Sequence, residues 1–262
     1  CRPGGISVAA AQLRQLGQSK SLSEGKLLHS LLRTRGIDRL TFIGNCLIEM
    51  YANCGCPHDA RIAFCRLPDP NVFSWNMLIK AYAQNNHVQN AFHVFCSTPL
   101  RDSVTWNAMI SGYAQLGKVK EVISLFNRMV AEGITVNSIT FGALLTMCNH
   151  AGLVEEGELY LDMINSVYFI QPTLQLYICI VDLFCRSGNF GKAMVIIEMV
   201  PILSRRQMWV AFLVACRTWA NVELGEMAFE HLVRLDERYS GGYVCMSNIY
   251  AAASMQESDY CE

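Results

Sequence analysis

The sequence predicts an all-α fold, a right-handed α-solenoid of stacked helix-turn-helix repeats. Three observations predict it. Self-similar segments recur: IGNCLIEMYANCGCPHDARIAF, NVFSWNMLIKAYAQNNHVQNAFHVF and DSVTWNAMISGYAQLGKVKEVISLF align in one register, and such internal repetition marks a stacked array. Within each copy the apolar residues fall at helical spacing, as in Trp106, Met109, Ile110 and Tyr113. Finally, 52% of the 262 residues are hydrophobic and only 16% are charged, the balance expected when nearly every helix has neighbours on two sides.

Taking Val72 and Ser103 as first positions divides the chain into units 6–40, 41–71, 72–102, 103–137, 138–173, 174–205, 206–239 and a partial unit 240–262. Apolar residues at positions 4, 7, 8 and 11 make a first helix, A. Position 15 reads Gly55, Asn86, Gly117, Gly152 and Gly188, the left-handed residue that ends such a helix; the first unit and the last full one lack Gly or Asn there. Position 20 reads Gly25, Ala60, Ala91, Val122, Gly157, Ala193 and Gly225. That column predicts a second helix, B, crossed so closely that a small side chain is needed. Position 24 (Phe64, Phe95, Phe126, Leu161, Ile197, Phe229) lies one turn further along the same face and fills the space between helices. One hairpin cannot bury both apolar faces, so the units stack. Trp75, Trp106 and Trp209 all occupy position 4 and are expected in the core, not as base-stacking platforms.

Composition narrows the function classes. Lys+Arg 21 against Asp+Glu 22 gives a net charge of −1, so bulk electrostatics is not the main source of any nucleic-acid affinity. High hydrophobicity with low net charge excludes a disordered chain. No apolar run reaches the roughly 18 residues of a membrane span: Glu198 and Pro201 interrupt one candidate and Asp182 another. The 12 Cys contain no C-x-x-C pair, the closest two being Cys54 and Cys56, and no H-x-E occurs. Zinc-finger and zinc-deaminase spacings are therefore missing, and the cysteines are expected as reduced core residues. The six His, at 29, 58, 87, 93, 150 and 231, form no i, i+4 ligand pair. No catalytic residue, metal or cofactor is expected. With no initiator Met and no Arg/Ser-rich leader, the sequence reads as a fragment or mature form.

Two helical-hairpin families share this frame, and position 8 separates them. A tetratricopeptide repeat has Gly there; this chain has Ile48, Ile79, Ile110, Leu145, Val181 and Leu213. Asn45, Asn76 and Asn107 recur at position 5, and their units end in Asn71, Asp102 and Asn137. The chain resembles a pentatricopeptide repeat protein of the plant P-L-S subclass. SVTWNAMISGYAQLGKVKEVISLFNRMVAEGITVN (103–137) resembles a P-type unit, 138–173 an L-type unit, and 41–71, 72–102 and 174–205 S-type units; 6–40 resembles an L-type unit more weakly. WVAFLVACRTWANVELGEMAFEHLVRLD in 206–239 and GGYVCMSNIYAAA in 240–262 resemble two E-type motifs, the second shortened after Ala253. The shortening is expected to leave an apolar face between Tyr243 and Ala253 unpartnered.

Read from the residues, position 5 and the last position of each unit line one wall with amides and carboxylates. Apolar side chains at position 2 (Phe42, Phe73, Val104, Ile139) sit beside them, placed to wedge between bases of an unstacked strand. The plainer reading is that Asn and Asp at these places cap helices and form turns. Three pairs in register favour the first reading. One base per helical repeat, read by two or three side chains, is the recognition mode of this family. The resemblance implies pyrimidine, uracil, pyrimidine for Asn45/Asn71, Asn76/Asp102 and Asn107/Asn137, read 5′ to 3′. Thr173 ends the next unit, but its pair Gly142/Thr173 departs from the code and is assigned no base. E-type ends resemble specificity factors for organellar cytidine-to-uridine editing. The implied partners are thus single-stranded RNA, a DYW-type deaminase acting in trans and organellar editing-factor proteins, in a mitochondrion or chloroplast, with no membrane. Two alternatives stay open at this point: a tetratricopeptide-like protein-interaction scaffold, and a non-functional truncated fragment.

Overall fold

The structure, a computed structural model, describes residues 3–259, with the side chains of residues 3, 4, 203 and 254–259 outside the description. The described residues form fifteen α-helices and two short 3₁₀ turns, with no strand. They divide into two compact units, the first running to Val136 and the second starting at Asn137.

In the first unit, α1 (Pro3–Gln18), α3 (Thr41–Asn53), α5 (Val72–Gln84) and α7 (Ser103–Gln115) are successive A helices. Each packs on the next, and each folds back onto its own B helix: α2 (Leu22–Thr34), α4 (Pro57–Cys65), α6 (Val88–Ser97) and α8 (Val119–Ala131). The second unit repeats the plan. Its A helices are α9 (Ser138–Ala151), α11 (Leu174–Arg186) and α13 (Arg206–Thr218); its B helices are α10 (Val154–Ser166), α12 (Phe190–Met199) and α14 (Val222–Leu235). The last helix, α15 (Ser240–Asp259), packs on both α13 and α14.

The helical columns become the core. Trp106, Met109 and Ile110 are fully buried on α7, as are Ile79 and Tyr82 on α5, and Phe95 from α6 meets the Trp106 ring edge-on at 4.9 Å. Trp209 is also buried, stacked on His231 at 4.4 Å. Trp75 is only half-buried, with its ring 4.7 Å from Phe64. Among the described cysteines Cys46, Cys148, Cys179, Cys185 and Cys216 are buried and reduced, as expected, whereas Cys65 and Cys96 are exposed. Burial pushes the thiols of Cys148 and Cys216 up to about 12.

The left-handed position is stricter than its sequence column. Gly55, Asn86, Gly117, Gly152 and Gly188 have φ between +62° and +77°. Lys20 and Ala220, which hold the same place in the units lacking Gly or Asn, are left-handed too, at φ +54° and +48°. The reversal from A to B helix imposes this conformation whatever the side chain, and at Lys20 and Ala220 it is held against the steric preference of an L-residue.

The close crossing at position 20 has a definite partner. A Cβ added at Gly25 would stand 2.6 Å from Met50 Sδ, one at Gly157 2.2 Å from Leu183 Cδ2, and one at Gly225 3.0 Å from Ile249 Cδ1. Met50, Leu183 and Ile249 all occupy position 10 of the following unit. Where position 20 is Ala, as at Ala60 and Ala193, position 10 of the next unit is Ala81 or Ala215, and all four are buried. At these five crossings the two columns compensate in size; Val122 and Met147, which hold the same positions in different units of the structure, are both large and buried.

The end of the chain departs from the expectation of a bare apolar face. Met246 and Ile249 of α15 are buried, Tyr243 meets Phe229 edge-on at 4.9 Å, and Tyr250 donates its hydroxyl to Glu226 at 2.6 Å. Part of that face, at Tyr243, Val244, Tyr250 and Ala251, is open to solvent.

Candidate nucleic-acid interface

The position-2 side chains are exposed although apolar: Phe42 50%, Phe73 59%, Val104 55% and Ile139 61%. Each stands in the first turn of its A helix. The first three belong to one unit of the structure and Ile139 to the other. Scattered exposed apolar residues need no explanation, but one at the same position in each of four successive repeats is a pattern. Arg14 of α1 places its guanidinium 5.8 Å from the Phe42 ring centroid.

Three residues and one turn further along, the position-5 amides are buried: Asn45, Asn76 and Asn107 are 8%, 7% and 4% exposed. Each is a polar group on an otherwise apolar helix face. Such a group is costly unless it is bonded.

The last residue of each unit is the N-cap of the next A helix. Asn71 Oδ1 accepts from the Ser74 backbone N–H and from the Ser74 hydroxyl, both at 3.0 Å. Asp102 Oδ1 accepts from the Thr105 N–H at 2.8 Å and lies 2.8 Å from the Thr105 hydroxyl, whose one proton is shared between Asp102 Oδ1 and Asn76 Oδ1, while the Asp102 N–H donates to Thr105 Oγ1 at 3.2 Å. Asn137 forms the same box with Thr140, and Thr173 accepts from the Leu176 N–H at 3.4 Å. The capping reading of these residues thus holds as geometry. It does not compete with base reading, because a cap uses one side-chain atom and leaves the other. At Asp102 the remaining atom is Oδ2, an acceptor; at Asn71 it is Nδ2, a donor.

One position-5/last-position pair is joined directly. Asn76 Nδ2 donates to Asp102 Oδ1 at 3.1 Å, and the Thr105 hydroxyl is 2.6 Å from Asn76 Oδ1. An ionised carboxylate only accepts, so the amide atom facing Asp102 has to be Nδ2, which leaves Oδ1 for Thr105. Burial pushes the Asp102 carboxyl up, but the Thr105 bonds and the Asn76 amide outweigh it and hold the group below its ordinary value. Asn45 and Asn71 are not joined in this way. Asn45 Oδ1 is buried with no hydrogen-bond partner. Asn107 and Asn137 lie in different units of the structure.

Sequence reading passed over position 3. Ser74, Thr105 and Thr140 are each fully buried, and each ties the preceding cap. The signal was a Ser or Thr three residues after Asn71, Asp102 and Asn137, the spacing of a capping box.

Comparison with known proteins decides between the two hairpin families. Residues 101–150 match the PPR repeat family, residues 73–97 match the PPR repeat, and residues 219–258 match the E motif. The chain belongs to the pentatricopeptide repeat family. The E motif match spans the end of 206–239 and most of 240–262, which the register had divided between two E-type motifs. Relatives include two Arabidopsis thaliana pentatricopeptide repeat-containing proteins, At3g29230 and At5g66520. They are 34% and 35% identical over 95% of this chain. The chain spans only 36% and 35% of those relatives' lengths. Among solved structures, the pentatricopeptide repeat protein PPR10 in complex with an 18-nt psaJ RNA element superposes with a TM-score of 0.74 at 17% identity, over 98% of this chain and 39% of that one. PPR10 from maize superposes at 0.65, with 17% identity, over 97% of this chain and 40% of that one. The fold is that of these α-solenoids. Among the described residues no helix is long and apolar enough to cross a membrane.

Proposed function

We propose that this protein binds single-stranded RNA sequence-selectively, one base per repeat. The observation that carries the reading is the Asn76–Asp102 pair. A buried amide and an ionised carboxylate are held together at 3.1 Å, one turn from the exposed ring of Phe73, which is 59% exposed. A base inserted beside Phe73 meets an N–H donor and a carboxylate acceptor. That combination fits the carbonyl and N3–H of uracil. Asn71, whose Oδ1 is taken by its cap, presents Nδ2 instead, a donor suited to N3 of cytosine. The triplet read by Asn45/Asn71, Asn76/Asp102 and Asn107/Asn137 is then pyrimidine, uracil, pyrimidine. Phe42, Phe73, Val104 and Ile139 supply the wedges between bases.

The unit types from 41 to 205 and the E motif support assignment to the P-L-S subclass and a role in organellar RNA processing. The role proposed is site recognition for cytidine-to-uridine editing in a mitochondrion or chloroplast. A DYW-type deaminase supplied in trans performs the chemistry, with editing-factor proteins completing the complex. The family resemblance implies that the final S-type unit, 174–205, sits about four nucleotides upstream of the edited cytidine, and one base per unit then puts the triplet at about −8 to −6. Crosslinking and sequencing of RNA bound to the protein in plant organelles tests this. Reads clustered just upstream of cytidines that appear as uridine in cDNA are expected. Reads with no such cytidine downstream overturn the editing role, and absence of any enriched RNA overturns the binding role as well.

A further inference from the structure

The position-3 hydroxyl of the following unit does more than close a cap. We propose that Thr105 is a positioning residue for base specificity: its hydroxyl holds the Asn76 amide in one orientation and so sets how strictly the 72–102 unit separates uracil from cytosine. The inference rests on the RNA-binding reading above.

Two neighbouring units carry the argument: their last residues differ, Asn71 against Asp102, and so does the reach of the position-3 hydroxyl to the position-5 amide, made at Asn76 and absent at Asn45. At Asn76 both amide atoms are engaged, Nδ2 with Asp102 at 3.1 Å and Oδ1 with the Thr105 hydroxyl at 2.6 Å, a shorter contact than the 2.8 Å from that hydroxyl to its own cap oxygen on Asp102. The amide of Asn76 is therefore fixed. Its second N–H stays available to a base, while its oxygen is held toward Thr105. At Asn45 the corresponding hydroxyl belongs to Ser74, which lies 3.0 Å from Asn71 Oδ1 and bonds there. Asn45 Oδ1 keeps no partner although it is buried. An amide with an unengaged oxygen can turn to accept from the N4 amino group of cytosine or to donate to a uracil carbonyl. The locked unit is built to discriminate and the unlocked one to tolerate both pyrimidines.

A cap alone does not account for the contact. The N-cap needs Thr105 only through its backbone N–H to Asp102 Oδ1 and its Oγ1 as acceptor from the Asp102 N–H. The bond to Asn76 Oδ1 links two A helices and is additional to the box. It also satisfies a buried acceptor that at Asn45 goes without a partner.

The test is selection from a randomised 12-nucleotide RNA pool by the full chain, by T105V and by T105S, with the base frequency read at each bound position. Wild type is expected to show a sharp uracil preference at the middle position and a weaker separation of uracil from cytosine at the neighbouring position read by Asn45/Asn71. T105V keeps the shape but loses the hydroxyl. Its uracil-over-cytosine preference at the middle position should fall by about tenfold, the scale of one well-placed base contact, with the flanking positions unchanged. T105S should retain it. Unaltered middle-position preference in T105V overturns the inference. So does an equal loss at every position, which is the mark of a purely structural role. Should T105V not fold, as judged by circular dichroism, the wild-type comparison decides: an Asn45/Asn71 position as strict as the Asn76/Asp102 position overturns it. A wild type with no base preference anywhere overturns instead the RNA-binding reading on which this one rests.

Discussion

At the scale of single residues, backbone conformation and polar satisfaction explain most of what is unusual. Ala220 and Lys20 sit at φ +48° and +54°, a region that costs an L-residue about 1–2 kcal/mol. Ala220→Gly and Lys20→Gly should each stabilise the fold by about 0.5–1 kcal/mol, after allowing for the extra freedom Gly gives the unfolded chain. Gly152→Ala, at φ +68° with open space around its Cβ, should lower the denaturation midpoint by a similar energy. Midpoints that do not move in opposite directions would show that the turn relaxes freely. The turn was readable at five units because Gly or Asn stands there. It was not readable at 20 and 220, because the reversal demands the conformation without demanding the residue. Titratable pairs add a pH dependence. Burial lowers the pKa of His29, whose Nδ1 lies 2.8 Å from the Tyr51 hydroxyl. Asp38 is raised by burial but more strongly lowered by the Arg66 hydrogen bond and charge, for a net lowering. Both groups have depressed folded-state pKa values, so both bind protons more readily when unfolded. Stability of the first unit is therefore full above the ordinary His value of 6.5. It should fall as pH drops below that value, and fall again below the ordinary Asp value of 3.8. A thermal midpoint unchanged between neutral and mildly acidic pH would remove His29 from this account.

At the scale of elements, the A and B helices were legible from spacing, and the size rule between them only in half. Position 20 reads as small in the sequence, but position 10 of the next unit looks unpatterned, ranging from Met50 through Ala81 and Gly112 to Leu183. Within each unit of the structure its logic is pairwise: a large residue reaches over Gly and a small one sits on Ala, so neither column reveals it alone. Gly157→Ala drives a Cβ to 2.2 Å from Leu183 Cδ2, and the Leu side chain has to move. Leu183→Ala leaves a cavity in the buried face of α11 and should cost about 2–5 kcal/mol. The double variant recreates the Ala60/Ala81 pairing and should recover about 0.5–3 kcal/mol relative to the sum of the singles. Strict additivity in denaturant unfolding would show that the two positions do not share a crossing. The candidate site was legible to a similar degree. Asn45, Asn71, Asn76 and Asp102 stand out as columns, and the Asp102–Thr105 box shows in its spacing, whereas the bond from Thr105 to Asn76 depends on how one A helix lies against the next. A Thr among apolar residues gives no sign of that in the sequence.

At the scale of the whole molecule, the 52% hydrophobic and 16% charged balance is the composition of an array in which each hairpin buries two faces. The net charge of −1 carries the functional consequence. A binder with few phosphate contacts, on the order of three, has a log affinity against log salt slope of about −2 on a single strand. On the proposed reading its free energy comes from stacking at Phe42 and Phe73, apolar contact at Val104 and Ile139, and the polar pairs beside them. The central claim is that the protein reads bases. It is tested most directly by equilibrium binding of the full chain to a short single-stranded RNA carrying the pyrimidine-uracil-pyrimidine triplet, and to the same RNA with the triplet changed to purines, across a range of salt. The account predicts at least about a tenfold loss of affinity for the purine RNA, with a shallow salt slope for both. Equal affinity for the two RNAs, with a steep salt slope, would contradict it.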